Sequence, residues 1–294
     1  MSDAGRRRVA LGVAYDGTGF HGFARQPGQR TVAGALAQAL ARVSGEDPEL
    51  VCAGRTDTGV HALAQVVHVD LPSQLLAGRY GPSPPPPAGG AAHGPAGAVG
   101  AELPGLAAEL PGLAAALDRQ VAPEARVWRA VLAADGFDAR RSATGRRYRY
   151  DLDVSARPDP TRRHQAWRVD HPVDLARLRL ATDPLLGEHD FAAFCRRPPD
   201  RPAGPLARTV HEARWSVEPG GLLRFQIEAA AFCHQMVRSL VAVLVAAGTG
   251  RLRPSDVAAL LRRARRDGLP APAPPGGLTL VAVRYPAELG GDWC

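Results

Sequence analysis

The sequence predicts an α+β chain of two related halves that share an antiparallel or mixed sheet. Two observations carry that reading. Strand-like and helix-like segments follow in the order strand–helix–strand and then strand–helix–hairpin–helix–strand. The helical segments are also spaced too irregularly between the strands for a doubly wound parallel fold. A length of 294 residues, with 45% hydrophobic and 22% charged side chains, supplies a sizeable core and excludes a wholly disordered chain.

Each element has a local cause. Val9, Leu11, Val13 and Tyr15 alternate, so residues 8–15 form a strand ending at the turn signal Asp16-Gly17. Thr31 is an N-cap candidate, and Val32, Leu36, Leu40 and Val43 share one face of a helix over 31–43. Gln65 to Asp70 makes a second strand, preceded by a shaped loop of small and polar residues from Cys52 to Ala62. Residues 78–116 differ in kind. Of these 39 positions 28 are Ala, Gly or Pro, and the heptad Glu102–Ala108 recurs at once as Glu109–Ala115. Such a stretch buries too little surface to offset its chain entropy, so a mobile insertion is expected there. Beyond it, Tyr148 and Tyr150 lead a strand to about Val154, and Asp174 to Leu186 reads as helical. Thr209–Val217 and Leu222–Ala230 form a hairpin around Glu218-Pro-Gly-Gly221. Cys233 to Ala247 reads as an apolar helix ending at Gly248, and Pro254 to Arg266 as a shorter basic one. Leu278 to Tyr285 is apolar on both faces, as a central strand requires. The expected division is an N-terminal half 1–77, the insertion 78–116, a connection 117–135, a C-terminal half 136–286 and a tail 287–294.

Thirty-six basic residues face 29 acidic ones, a formal net charge of +7, and every basic side chain is Arg. A base-composition bias explains the missing Lys together with the abundant Ala, Gly and Pro. It does not explain the surplus charge, because exchanging Lys for Arg leaves charge unchanged. Surplus Arg suits an anionic partner such as nucleic acid. Cys52, Cys195, Cys233 and Cys294 are scattered with no CxxC pair. That pattern argues against a disulfide framework and a Cys-rich zinc site, and for a reducing cytoplasm. The polar start, Met1 to Arg8, has no signal-peptide pattern, and no apolar run approaches the roughly 20 residues of a membrane span. Phosphate-loop, HExxH and GxSxG signatures are absent from the sequence. Gly17, Gly19 and Gly22 match GxGxxG spacing but lack a βαβ context, so a turn is expected there. Cys233 and His234 are expected as helix neighbours that point apart.

Three segments carry candidate chemistry. In Arg55-Thr56-Asp57-Thr58-Gly59 a carboxylate stands on a loop flanked by Gly54 and Gly59, with His61 and Gln65 nearby. Such a carboxylate serves as nucleophile or base, although the segment alone also fits an ordinary surface turn. Arg146-Arg147-Tyr148-Arg149-Tyr150, preceded by Phe137-Asp-Ala-Arg-Arg141, interleaves Arg with Tyr along a strand. Alternation sets aromatics on one face and guanidinium groups on the other, which suits base stacking with phosphate contact or, equally, a half-buried strand. In Phe232-Cys-His-Gln-Met-Val-Arg238 one Arg interrupts an apolar helix, and an Arg there needs an anionic partner, for which Asp57 is a candidate.

These segments together resemble the tRNA pseudouridine synthase A (TruA-type) family. Gly54-Arg-Thr-Asp-Thr-Gly-Val-His-Ala62 is similar to its catalytic loop, and Tyr15-Asp-Gly-Thr18 and Thr31-Val32 to its first strand, turn and helix. Phe137-Asp-Ala-Arg140 with Arg147-Tyr-Arg-Tyr150 resembles its middle motif. Gly187-Glu-His-Asp-Phe191 with Phe194, Phe232 to Arg238, and Gly277-Leu-Thr-Leu280 with Tyr285 resemble its second half. The resemblance implies a pseudouridine synthase fold of two α+β halves around a basic cleft. It also implies a cytoplasmic homodimer that isomerises uridine at positions 38–40 of the tRNA anticodon stem-loop, with no cofactor and no metal. Asp57 is then the catalytic carboxylate, Tyr148 lines the uracil pocket, Arg238 pairs with the aspartate and Arg55 shapes the loop. Arg25, Arg140 and Arg147 are candidate RNA contacts. The chain departs from the family pattern at Phe23 and Ala24 (for Trp-Gln), at Asp138 (for His) and at Thr58 (for Ala).

The chemistry suits a lone carboxylate. Isomerisation breaks N1–C1′, turns the uracil and joins C5 to C1′, with no net redox change and no external group donor. A carboxylate begins it either by attacking the nucleoside or by removing a sugar proton. A noncatalytic RNA-binding protein on the same scaffold is the alternative reading, and loss of Asp57, Tyr148 or Arg238 would have favoured it. A base deaminase would need zinc ligands that are missing.

Overall fold

The structure, a computed structural model of the chain, describes residues 5–81, 108–197, 204–263 and 265–294. Its first part contains β1 (Arg6–Tyr15), α1 (Val32–Ser44), β2 (Val51–Cys52), β3 (His61–Pro72), α2 (Ser73–Ala77), β4 (Ala108–Glu109), α3 (Pro111–Val121) and β5 (Ala125–Leu132). The second contains β6 (Gly145–Asp153), β7 (Trp167–Arg168), α4 (Leu175–Thr182), β8 (Gly187–Asp190), β9 (Ala207–Glu218) and β10 (Leu222–Ala229). It continues with α5 (Met236–Gly248), α6 (Pro254–Arg263), β11 (Leu278–Arg284) and β12 (Asp292–Trp293).

Local signals place these elements. The Thr31 hydroxyl accepts the Gly34 N–H, a cap worth about 1 kcal/mol, and Gly45 closes α1 in the left-handed conformation. Val32, Leu36 and Leu40 bury the inner face of α1. Asp174 caps α4 by accepting from the N–H groups of Ala176 and Arg177. Among the described residues one twelve-stranded sheet runs in the order β4-β5-β1-β3-β11-β6-β10-β9-β8, with β2 beside β3, β7 beside β6 and β12 beside β11. Its pairings are antiparallel except β3 with β11 and β6 with β7, so the sheet is mixed, as expected. The parallel step between β3 and β11 is the seam where the two parts meet. There Leu280 lies beside Ala62 on one side and Tyr148 on the other. That register sets the site, because the loop carrying Asp57 runs straight into β3.

Four expectations need correction. The insertion was bounded at 78–116, but Tyr80 is buried and Ala108–Ala116 belong to β4 and α3, where Leu110 and Leu113 are fully buried. The second copy of the repeated heptad is therefore core, because Pro111 starts a helix and its two Leu face the sheet; residues 82–107 lie outside the described residues. The expected connection 117–135 supplies the end of α3 and the strand β5, which pairs with β1 along Val9–Tyr15. The expected tail contributes β12, and Trp293 is fully buried, 5.8 Å from the Trp128 ring and under the Arg129 guanidinium. The helix expected from Cys233 starts only at Met236, because Gln235 takes the left-handed conformation at φ 64°. No helix among the described residues is long and apolar enough to cross a membrane.

Candidate active site

The loop between β2 and β3 is held from both flanks, and its polar supports are themselves buried. The Tyr15 hydroxyl bonds Thr56 Oγ1 at 2.8 Å, and the amide of Gln65, a fully buried side chain, donates to the Gly54 carbonyl at 2.7 Å. The Phe23 N–H donates to the Thr56 carbonyl, and the Val60 N–H to the Asp57 carbonyl, both at 3.1 Å. Two glycines make the approach sterically feasible. Gly22 has φ 83°, and a Cβ there would lie 2.9 Å from the Thr56 carbonyl oxygen; Gly59 has φ 77° and would press on Pro275 at 2.9 Å. The carboxylate of Asp57 is thus presented on a stiff support.

Arg238 comes from the first turn of α5, 181 residues away, and its Nη1 donates to Asp57 Oδ2 at 3.0 Å. Its Nε donates to the Ala273 carbonyl at 2.7 Å, which fixes the guanidinium. The side chains are only 14% and 22% exposed, so water screens this pair less than a surface pair. Tyr148 lies beside them, buried, with its ring edge-on to Phe232 at 5.2 Å. Burial pushes the Tyr148 phenol pKa up against the opposing charge of Arg146, so the hydroxyl stays protonated at neutral pH. The sequence had suggested that Asp57 and Arg238 meet, and they do.

Two groups at this site escaped the sequence reading. Arg146 stands two residues before Tyr148 and shares its face of β6. Its guanidinium is buried and donates to four carbonyls, those of Ala53, Arg140, Ala143 and Ala230, at 2.7–2.9 Å. It ties the Asp57 loop to the strands behind it. The period-2 rule applied to residue 146 rather than to residue types in general would have found it. His234, expected on a helix with its side chain pointing apart from that of Cys233, instead precedes α5 and sets Nε2 3.4 Å from Asp57 Oδ1. Next to it, Cys233 is disulfide-linked to Cys195, with Cα atoms 5.7 Å apart, a pairing the scattered cysteines did not foretell.

The remaining predicted contacts separate. Arg55 and Arg140 are exposed on the cleft wall and make no side-chain ion pair among the described residues. Arg25 stands at the rim but is clamped by Asp47. Arg147 was expected among the RNA contacts, yet it lies on the opposite face of β6 and pairs with Glu228 and Glu212. Alternation along β6 sends 146, 148 and 150 one way and 147 and 149 the other. The cleft itself has a volume of about 1930 Å³, larger than a pocket shaped for one small molecule. Among the described residues it is lined by eight Arg against three acidic side chains, Asp47, Glu49 and Asp57.

A profile described as tRNA pseudouridine synthase matches residues 181–286. Similar proteins extend the match to nearly the whole chain. A protein of Frankia casuarinae named tRNA pseudouridine synthase A is 42% identical, covering 98% of this chain and 92% of that protein. Proteins of the same name from Leifsonia xyli and Streptomyces griseus are 40% and 39% identical, covering 96% and 98% of this chain and 94% and 91% of theirs. The chain belongs to the tRNA pseudouridine synthase family.

Two of its departures from the family pattern, Phe23 and Asp138, have local explanations. Phe23 is buried with its ring 6.4 Å from Tyr15, so an apolar ring packs under the loop while the backbone holds Thr56. The Asp138 carboxylate accepts from the N–H groups of Arg140 and Arg141, both at 2.8 Å, and so closes a turn. An acid spent on its own backbone is compatible with RNA passing nearby. Thr58 is exposed on the cleft wall, and nothing in the structure explains its choice over Ala.

Proposed function

We propose that this member of the family isomerises uridine to pseudouridine at positions 38–40 of the tRNA anticodon stem-loop, with Asp57 starting the reaction. The observation that carries the proposal is the Asp57–Arg238 pair set beside Tyr148 in the floor of an arginine-lined cleft. Arg55 and Arg140 bind phosphates and hold the stem-loop in register. The target base leaves the stack, and the Tyr148 ring offers a stacking surface that offsets part of an unstacking cost of a few kcal/mol.

Arg238 holds Asp57 Oδ2 and aims the carboxylate. Oδ1 faces the cleft and either attacks the sugar or takes a sugar proton. In both routes N1–C1′ breaks with its electron pair on the uracil, C5 then joins C1′, and the C5 proton leaves. Tyr148, a protonated phenol, acts as a donor and a packing surface toward the turning base. The same reading carries a cytoplasmic homodimer, checked by light scattering of the purified protein.

Tritium release from tRNA labelled at uridine C5 tests the assignment. Asp57→Asn is expected to release none above background while its tRNA affinity stays within about threefold, since many Arg contacts supply binding. An Asp57→Asn protein that turns over tRNA would end the assignment.

A further inference from the structure

Arg238 engages one oxygen of Asp57 and leaves the other to its surroundings. An aspartate carboxylate turns readily about its last torsion, whose preference is broad and nearly two-fold. One fixed oxygen therefore does not fix the plane of the group. The imidazole of His234 stands at Oδ1, with Nε2 at 3.4 Å.

The backbone that carries that imidazole is held by built features of the chain. Gln235, next in sequence, is the one non-glycine residue with positive φ among the described residues. A left-handed residue of this kind is costly and persists only where its surroundings enforce it. Here the Met236 N–H donates to the Cys233 carbonyl at 3.1 Å and closes a turn, so α5 begins after His234 rather than through it. On the other flank, the Arg196 N–H donates to the His234 carbonyl at 2.9 Å, and Cys233 is linked to Cys195. Three restraints thus converge on the backbone beneath one half-exposed side chain.

We propose that His234 is a positioning residue for Asp57: its Nε2–H holds Oδ1 while Arg238 holds Oδ2, and together they fix the carboxylate plane. The proposal rests on the reading of Asp57 as the group that starts isomerisation. It requires an N–H donor at that reach and no proton transfer by the imidazole. His234→Gln tests this cleanly, because a glutamine amide offers an N–H of similar reach and cannot act as a base.

The experiment measures kcat and KM for tRNA by C5 tritium release with the full chain, after circular dichroism and Tm show that each variant is folded. His234→Ala is expected to lower kcat about three- to tenfold with KM unchanged, the range for a partly exposed charged contact that strengthens when substrate displaces water. His234→Gln is expected to restore kcat to within about twofold. Wild-type kcat in His234→Ala, or a change confined to KM, overturns the positioning role. A glutamine variant as slow as the alanine one overturns it too, since the imidazole would then be moving a proton. Failure of the unmutated protein to release tritium would instead count against the isomerase reading, and the positioning role would fall with it.

Discussion

Two arginine–carboxylate clusters lie on opposite faces of β6, and they are built to different ends. On the cleft face, Asp57 receives one guanidinium at 3.0 Å and leaves Oδ1 toward an imidazole at 3.4 Å and open space. On the far face, Glu228 is enclosed by two guanidiniums: Arg147 at 2.7 Å on Oε2, and Arg284 on both oxygens. The Glu228 side chain is only 9% exposed, and its partners stand on β6 and β11, so the cluster staples three strands. Burial pushes the Glu228 carboxyl up, but the Arg284 hydrogen bond and the Arg147 charge outweigh it and hold the carboxyl below its usual range. The same pair of side-chain types is a clamp when guanidiniums fill both carboxylate oxygens, and a reactive group when one oxygen borders the cleft.

Removing the cation from each cluster should separate the two roles. Arg238→Met is expected to cut turnover about 100-fold, because an unaimed carboxylate loses its near-attack geometry, while tRNA affinity changes little. A gel-shift titration beside a tritium-release assay checks both halves of that statement. Next in size comes the stacking surface. Tyr148→Ala should reduce turnover about tenfold or more through lost base stacking, and it also opens a cavity in the core. Tyr148→Phe keeps the ring and its edge contact with Phe232, so it should bind tRNA normally with a smaller loss of kcat. Equal wild-type rates in both variants would remove Tyr148 from the site.

The far cluster should answer in stability rather than in rate. Glu228→Gln is expected to cost about 1–3 kcal/mol at neutral pH while leaving kcat near wild type. Because the folded carboxyl is depressed, its contribution is present above the unfolded value of about 4.3 and is lost as pH falls through the folded one. The Tm difference between wild type and Glu228→Gln should therefore narrow in acid; a gap that widens there contradicts the clamp. The smallest effect belongs to neither cluster. Deleting Gly81 to Gly100 should leave both Tm and turnover nearly unchanged, since the chain-entropy cost of closing a connection changes by only about 0.6 kcal/mol per doubling of its length.

Much of this contrast could be read from residue spacing, and the failures have definite causes. Thr31, the hairpin around Glu218-Pro-Gly-Gly221 and the partner required by Arg238 were all legible, because each depends on a local signal or on the cost of an unpaired buried charge. Arg147 shares its residue type with the cleft arginines but not their face of β6, and composition does not carry that difference. His234 was missed because the apolar run predicts a helix through it, and only the left-handed Gln235, invisible to periodicity, turns the chain back. The heptad at Glu109–Ala115 shows the limit of composition: its letters match the preceding copy, but pairing of β4 with β5 places its Leu residues in the core. For the heptad a long-range partner decides, and no window of sequence contains it.

The central claim is that one carboxylate, Asp57, makes this cleft a site of uridine isomerisation. The most direct test maps pseudouridine in tRNA from cells lacking the protein and from the same cells supplied with wild-type or Asp57→Asn chains. The account predicts that pseudouridine at positions 38–40 disappears with the protein, returns with the wild-type chain and stays absent with Asp57→Asn. Unchanged pseudouridine in the deficient cells, or its return with Asp57→Asn, would contradict it.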